Sequence, residues 1–430
     1  MSIGGAAARL GTVLVLLVVT AACSDDTGDS AGAGATTQSS TSPESTDVSE
    51  STLPASRADG VLTIGTLLPV TGPGNQIGIA AINAVNVGIR EINEEGGVLD
   101  QNVQWINASE GETVAEAEAG IEQLLDGGVD AIIGPASSRV ALETLDELMA
   151  AGVLVCSPTA AALALNDYPN RGLFFRTVPS DSLTAQAMAA VALNTGVDSF
   201  AVVYLDDQFG RPFAQQTIQR LEGPEVAELH QLPFPSDATP EQLAELATEL
   251  AELAPRTIVL IADSQHGWPM LQALSSVFAT DPPFIIINDA MRAPPSTDLV
   301  TGLPAEFRDQ IQGLSPVTPP RPSEPPGVYA TNALDCLNLI ALAAIEAGTD
   351  DPAAIADEMV NATVVGTLCD SVAECRRIAE ENRNFNYQGA NSIDFSARGD
   401  PARGRIGIFR FDATGLDVPL AEISITEVLE

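Results

Sequence analysis

The chain has 430 residues, enough for two domains with a large buried core. It carries 58 acidic residues against 19 basic ones, for a net charge of −39, and it contains no lysine. That balance excludes a nucleic-acid binder, which needs a basic footprint, and a polybasic membrane-binding surface. It keeps a protein soluble and says little about fold; a salty habitat and a GC-rich genome both produce it.

The N-terminus reads as an export segment. Arg9 precedes an apolar run from Leu10 to Val19 that is too short to span a bilayer. The small residues Thr20-Ala21-Ala22 then lead to Cys23. Residues 1–23 resemble a bacterial lipoprotein signal peptide with its lipobox, in which Cys23 becomes the lipidated first residue of the mature protein. Lipoboxes more often carry Leu where this chain has Thr20. Residues 24–59 are mostly Ser, Thr, Gly, Ala, Asp and Glu, the composition of a disordered tether. The expectation is an exported protein, lipid-anchored to the cell membrane outside the cytoplasm.

The fold begins with a predicted strand over 61–68, a turn-rich loop over 69–78 and a helix over 79–93 closed by Gly96-Gly97. A strand over 103–107 and a one-faced helix over 114–125 follow. The most informative stretch is Ala131 to Ala161. Ala131-Ile132-Ile133 is an apolar run ended by Gly134-Pro135; Ser137 and Ser138 follow; then Val140, Leu142, Leu145, Leu148 and Met149 recur with helical spacing. A second run, Val153-Leu154-Val155, ends in Cys156-Ser157-Pro158-Thr159. This is strand, helix, strand, with small hydroxyl residues at the C-terminal end of each strand. In an open parallel sheet those ends face the ligand crevice, and backbone N–H groups at the following helix starts suit an anion. Ser137, Ser138 and Ser157 are therefore candidate ligand-binding residues, and helix capping is the plainer role open to each.

At Pro179-Ser180-Asp181 the pattern restarts. Helix 183–193, strand 200–204, helices 212–221 and 242–253, strand 257–261, helix 268–278 and strand 284–287 follow, the last ending in Asn288-Asp289. His230 falls in a polar segment away from any predicted strand end. A Pro-rich stretch over 312–326 leads to a long apolar helix over 329–347 and a shorter one over 351–360. Two strands, 405–411 and 422–428, close the chain. Alternating strands and helices indicate parallel sheets in an α/β protein. The plan occurs twice, which predicts two Rossmann-like lobes joined by a multi-strand hinge. The expected boundaries are 60–180 with 313–400 for the N-terminal lobe, and 181–312 with 401–430 for the C-terminal lobe.

Cys369 and Cys375, six apart in a polar stretch, predict a disulfide closing a small surface loop in an exported protein. Cys156 and Cys336 sit in apolar patterns and read as buried thiols, with a bond from Cys336 to Cys369 or Cys375 left open. With two histidines there is no zinc constellation, and no cofactor motif is present. A nucleophilic enzyme would need a base next to its Ser or Cys. Only His230, His266 or a carboxylate is available, and no G-x-S-x-G elbow accompanies them.

In order and spacing, IGTLLPVTGPGNQIG, REINEEGGVLDQNV, IIGPASS, CSPTAA, FFRTVPSD, AVVYLDDQFG and YQGANSIDFSARGDP resemble the type I periplasmic binding proteins. The likeness is greatest to the branched-chain amino-acid (leucine/isoleucine/valine) substrate-binding proteins of ABC transporters. It spans about residues 60 to 411; the ordered set is specific, no single piece is. It implies a type I periplasmic binding fold and a monomeric binding protein, not an enzyme. Such a protein captures a small amino-acid-like ligand in an interlobe cleft and delivers it to a membrane permease. It implies that Ser138 meets the ligand carboxylate, that Ala160 and Ala161 form a second anion-binding turn, and that Phe209 covers the ligand from the other lobe. Asp289 would pair with the ammonium, and Ile77 would face the ligand. This chain departs from the family at Ala161, where Thr is usual, at Phe209, where Tyr is usual, and at Asp289, where Glu is usual. The site then suits another amino acid, a short amide or a carboxylate. A ligand-sensing lipoprotein with a signalling partner, or a hydrolase using a cleft nucleophile, are the alternatives.

Overall fold

Five short runs, β1 (Thr63–Leu68), β2 (Gln104–Ser109), β3 (Ala131–Ile133), β4 (Leu154–Ser157) and β5 (Phe174–Arg176), build a first sheet. All its strands are parallel, in the order β2-β1-β3-β4-β5. β3, β4 and β5 are buried along their whole length, as a sheet covered on both faces requires. Helices α1 (Asn75–Glu94), α2 (Val114–Asp126) and α3 (Ser138–Ala151) connect them. Their ends follow from side-chain chemistry: Thr113 and Glu116 form a reciprocal capping box at α2, Ser137 caps α3, and left-handed Gly152 ends it. The computed structural model describes residues 58–72, 74–170, 172–292, 294, 296–317, 329–381, 383–389 and 393–426. The signal segment, Cys23 and the tether as far as residue 57 lie outside these residues.

After β5 the chain enters a second lobe. β6 (Ser199–Leu205), β7 (Glu228–Phe234), β8 (Thr257–Ile261), β9 (Phe284–Ile287) and β10 (Ile311–Pro316) are parallel, and α4 (Asp181–Leu193), α5 (Gly210–Leu221), α6 (Pro240–Leu253) and α7 (Ser264–Val277) link them. The single-turn helices α8 (Thr297–Thr301) and α9 (Ala305–Arg308) precede β10. Strand alternation divides the core in two. Phe200, Val202, Val259, Ile261 and Ile286 pack with Met188 of α4 and Phe213 of α5. Ala201, Val203, Ile258, Leu260 and Ile287 pack with Leu250 of α6 and Trp268 of α7 on the other face. The strand β10 runs past the expected boundary at residue 312 and stays in this lobe to Pro316.

The chain then returns to the first lobe as α10 (Ala330–Ala347), α11 (Pro352–Val364), β11 (Thr367–Cys369), α12 (Val372–Glu380) and β12 (Phe385–Tyr387). Helix α10 is long and apolar enough to cross a bilayer, but 83% of it is buried inside the lobe, as a core helix is. It lies so near α1 that a Cβ on Gly88 would sit 2.4 Å from Leu334. Finally β13 (Arg403–Phe411) adds antiparallel to β10 and β14 (Asp417–Thr426) antiparallel to β13, giving the order β14-β13-β10-β9-β8-β6-β7. The chain thus passes between the lobes three times: after β5, after β10 and before β13. The first two passages are tied together, since Thr177 Oγ1 donates to the Asn332 carbonyl and Asn332 Nδ2 donates to that of Thr177.

Two expectations need correction. Cys156 and Cys336 are not buried thiols but a disulfide, with Cα atoms 5.7 Å apart, joining β4 to α10 inside the first lobe's core. Their separation of 180 residues gives no sequence signal for the pairing. His230 lies within a strand, β7, at the edge of the second sheet. Its segment reads as polar because an edge strand exposes much of its length. Cys369 and Cys375 are bonded to each other as expected; the two cysteines are buried, while Asp370 and Ala373 in the loop they close are exposed.

Candidate ligand-binding site

The C-terminal ends of β3 and β4 present two turns side by side. Gly134 follows β3 at φ +128°, and a Cβ there would lie 2.1 Å from the Leu67 carbonyl oxygen, so glycine alone fits. The chain then enters α3. Ser137 Oγ accepts the Val140 N–H at 3.5 Å as the cap of α3 and keeps its own proton to donate. Ser157 is fully buried; its hydroxyl donates to the Pro135 carbonyl at 2.6 Å and accepts the Ala160 N–H at 3.0 Å. It shapes the turn and has no proton left for a ligand. The Ala160 N–H is likewise spent. Ser138 Oγ accepts the Ala162 N–H at 3.2 Å and keeps its own proton to donate. Among the described residues, no hydrogen bond occupies the N–H groups of Ser138, Arg139 or Ala161. Ser138 is half-buried and Ala161 is 8% exposed. The donors available for an anion are therefore these three N–H groups and the hydroxyls of Ser137 and Ser138.

Glu110, just past β2, braces this corner from behind. Its carboxylate accepts the Ala136 N–H at 2.6 Å and the Ser137 N–H at 2.9 Å. Burial pushes its pKa up to about 7, against the opposing pull of those two bonds and of Arg139.

Acidic groups gather at the hinge side of the cleft. Asp289 follows β9 in the second lobe and is half-buried; its Oδ2 accepts the Tyr329 hydroxyl at 2.8 Å. Burial raises its pKa, while the Tyr329 bond, its own backbone and Arg292 work to lower it. Asp181 starts α4. Burial, and then the charge of Asp289, hold its carboxyl well above the ordinary range, with Arg176 opposing. Its Oδ2 is buried with no hydrogen-bond partner. Tyr329, Ala161 and Val178 form a small apolar cluster of their own, with Ile77 packed on it. Phe209 enters from the second lobe, packs against the first lobe's core and meets Phe213 edge-on at 5.9 Å. Of the residues expected at the site, Ile77 and Ala161 thus share one apolar cluster, and Asp289 touches it through Tyr329.

Sequence reading missed Asp181, Tyr329, Glu110 and Arg176. Asp181 was hidden as an ordinary residue in a helix first turn. Tyr329 follows a Pro-rich stretch with no pattern to interpret. Asp207, by contrast, is a cap: its Oδ1 accepts the N–H groups of Phe209 and Gly210 at 3.0 and 2.7 Å.

The description of the family that matches residues 61–384 is periplasmic binding protein. The chain belongs to that family. It is a solute-binding protein and not an enzyme, and its place is extracytoplasmic. One relative is the chemotactic signal transduction system substrate-binding protein BasB of Halobacterium salinarum, 26% identical over 369 residues, which cover 80% of this chain and 85% of that protein. The Leu/Ile/Val-binding protein BraC3 of Rhizobium johnstonii is 30% identical over 155 residues, or 36% of this chain and 41% of its own. Among solved structures, the substrate-binding protein of an ABC transporter from Desulfitobacterium hafniense in complex with Leu aligns with a TM-score of 0.65 at 19% identity, over 84% of this chain and 99% of that one. A solute-binding protein from R. palustris in complex with benzoate aligns with a TM-score of 0.63 at 15% identity, over 86% and 98%. These structures establish the type I periplasmic binding fold for the chain.

Proposed function

We propose that this protein captures an amino-acid zwitterion between its lobes and, as a lipoprotein anchored through Cys23, hands it to an ABC transporter permease. The observation that carries the reading is the separation of charge preferences across the cleft. Free N–H groups at Ser138, Arg139 and Ala161 favour a carboxylate on the first lobe. Two carboxyl groups stand at the hinge side, Asp289 with a Tyr329 hydroxyl on it and Asp181 with a buried oxygen that lacks a partner. An ammonium between them gives that oxygen a donor and relieves the repulsion between the two acids. Ile77, Ala161, Val178 and Tyr329 then meet the apolar part of the ligand, and Phe209 closes over it.

BasB supports a second reading, because its name places it in chemotactic signal transduction and the match covers 80% of this chain. In that reading the same closed complex reports occupancy to a signalling partner. The ligand is tested by calorimetry and thermal shift with L-amino acids, their amides and amine-free carboxylates such as benzoate. L-amino acids should stabilise the protein by about 2.7 kcal/mol at 100 times their dissociation constant. Binding of benzoate but of no amine-bearing ligand would overturn the zwitterion reading. Pull-down of a permease or of a chemoreceptor by the liganded protein separates transport from sensing.

A further inference from the structure

The side chain of Arg176, at the end of β5, is fully buried and makes four bonds. Nε pairs with Asp400 Oδ1 at 2.7 Å, Nη2 donates to Asn166 Oδ1 at 2.7 Å, and Nη1 donates to the carbonyls of Ala160 and Ala162 at 3.3 and 3.2 Å. The carbonyl between those two, on Ala161, accepts the N–H of Asp181, the first residue of α4, at 2.9 Å. The backbone N–H of Arg176 itself donates to the Gly399 carbonyl at 2.9 Å, and Ser180 Oγ donates to Asn166 Oδ1 at 2.8 Å. One guanidinium therefore grips the turn that offers the Ala161 N–H and two of the three passages between the lobes. The passage after β5 leaves from its own residue, and the passage before β13 runs through Asp400.

We propose that Arg176 is a positioning residue that couples ligand occupancy of the 160–162 turn to movement of the hinge. Holding the flanking carbonyls fixes the direction of the Ala161 N–H, and the Asp181 bond carries any shift of that turn straight into the second lobe. A planar fork with five donors suits this set of acceptors; a lysine ammonium, with three donors at one point, cannot hold all four.

The test compares the full chain with Arg176→Lys, and with the pair Arg176→Gln and Asp400→Asn, which leaves no unpaired buried charge if the single variant folds poorly. Hydrogen exchange is read at the Ala162 and Asp181 amides and, as controls, at β3 and β8. The expected result is exchange at least tenfold faster at Ala162 and Asp181 with the control strands unchanged. Equal acceleration everywhere, or none at the two amides, refutes the role, because loss of overall stability moves all amides together. This readout needs no ligand, so it tests the positioning of the turn even if the protein takes no amino acid. The affinity arm rests on the zwitterion reading: with L-leucine as probe, the dissociation constant should rise at least tenfold. A loosened turn with unchanged affinity would also overturn the coupling.

Discussion

Asp289→Asn tests the site most directly, because it moves affinity and stability in opposite directions. The substitution keeps shape and leaves an oxygen to accept the Tyr329 hydroxyl, now 2.8 Å away. For a bound ammonium it removes one desolvated charge partner, a change that costs about 2–5 kcal/mol. The lower end applies, since Asp181 loses the neighbouring charge that helps raise its pKa and ionises more readily against the ligand in its place. Affinity for an amino acid should fall by roughly 30- to 150-fold. The ligand-free protein should gain stability. Both acids have folded pKa values raised above the ordinary 3.8. Between that value and the folded one, the folded state holds protons the unfolded state has released, so stability falls as pH rises. Removing one acid should flatten that fall and raise the melting temperature at neutral pH. Calorimetric titration and differential scanning calorimetry from pH 4 to 8 read both effects. Tight binding by the variant, or a lowered melting temperature, would refute the reasoning.

Glu110, raised from 4.5 to about 7, and Asp130, raised from 3.8 to about 7 by burial first, act in the same direction. The folded chain should lose stability as pH rises towards 7, by at most about 3 kcal/mol for Glu110, and Glu110→Gln should flatten the slope of melting temperature against pH. The disulfides should differ in worth. Replacing Cys156 and Cys336 by Ala opens a loop of 180 residues and should cost about 5 kcal/mol in the chain-entropy model, against about 2 kcal/mol for Cys369 and Cys375. Urea unfolding of the two double variants compares them, and equal midpoints would contradict the estimate. Cys23→Ser should release the protein from the membrane fraction, and mass spectrometry of the native protein should find a lipidated Cys23; an unmodified N-terminus elsewhere would exclude the anchor.

What the sequence made visible follows from local pattern. The β3-α3-β4 unit announced itself through apolar runs stopped by Gly134-Pro135 and Ser157-Pro158. β7 did not, because Glu228–Phe234 is half exposed at a sheet edge and contains Pro233. β11 and β12 are three residues each, too short for any period to register. Within the site, the type of residue was legible but its employment was not. Ser137, Ser138 and Ser157 look alike in sequence, yet Ser157 gives its proton to a carbonyl while Ser137 and Ser138 keep theirs. The difference lies in partners such as the Pro135 carbonyl, which only the fold brings near. Asp181 and Asp289 stand over a hundred positions apart, and their mutual repulsion exists only once the lobes are assembled.

The burial of α10 has a consequence for the order of events at export. The strands of the first sheet all precede residue 177, but the helix that fills their core, and the Cys336 that bonds to Cys156, follow after the whole parallel part of the second sheet. While the chain emerges N-terminus first, the earliest lobe lacks its central packing element and stays incomplete. The lobe whose strands appear first is therefore finished late, in the same stage that delivers the third passage and β13. A chain stalled before residue 330 would expose the apolar surfaces of α1 and β4 that α10 covers, and those surfaces are where chaperones should hold it.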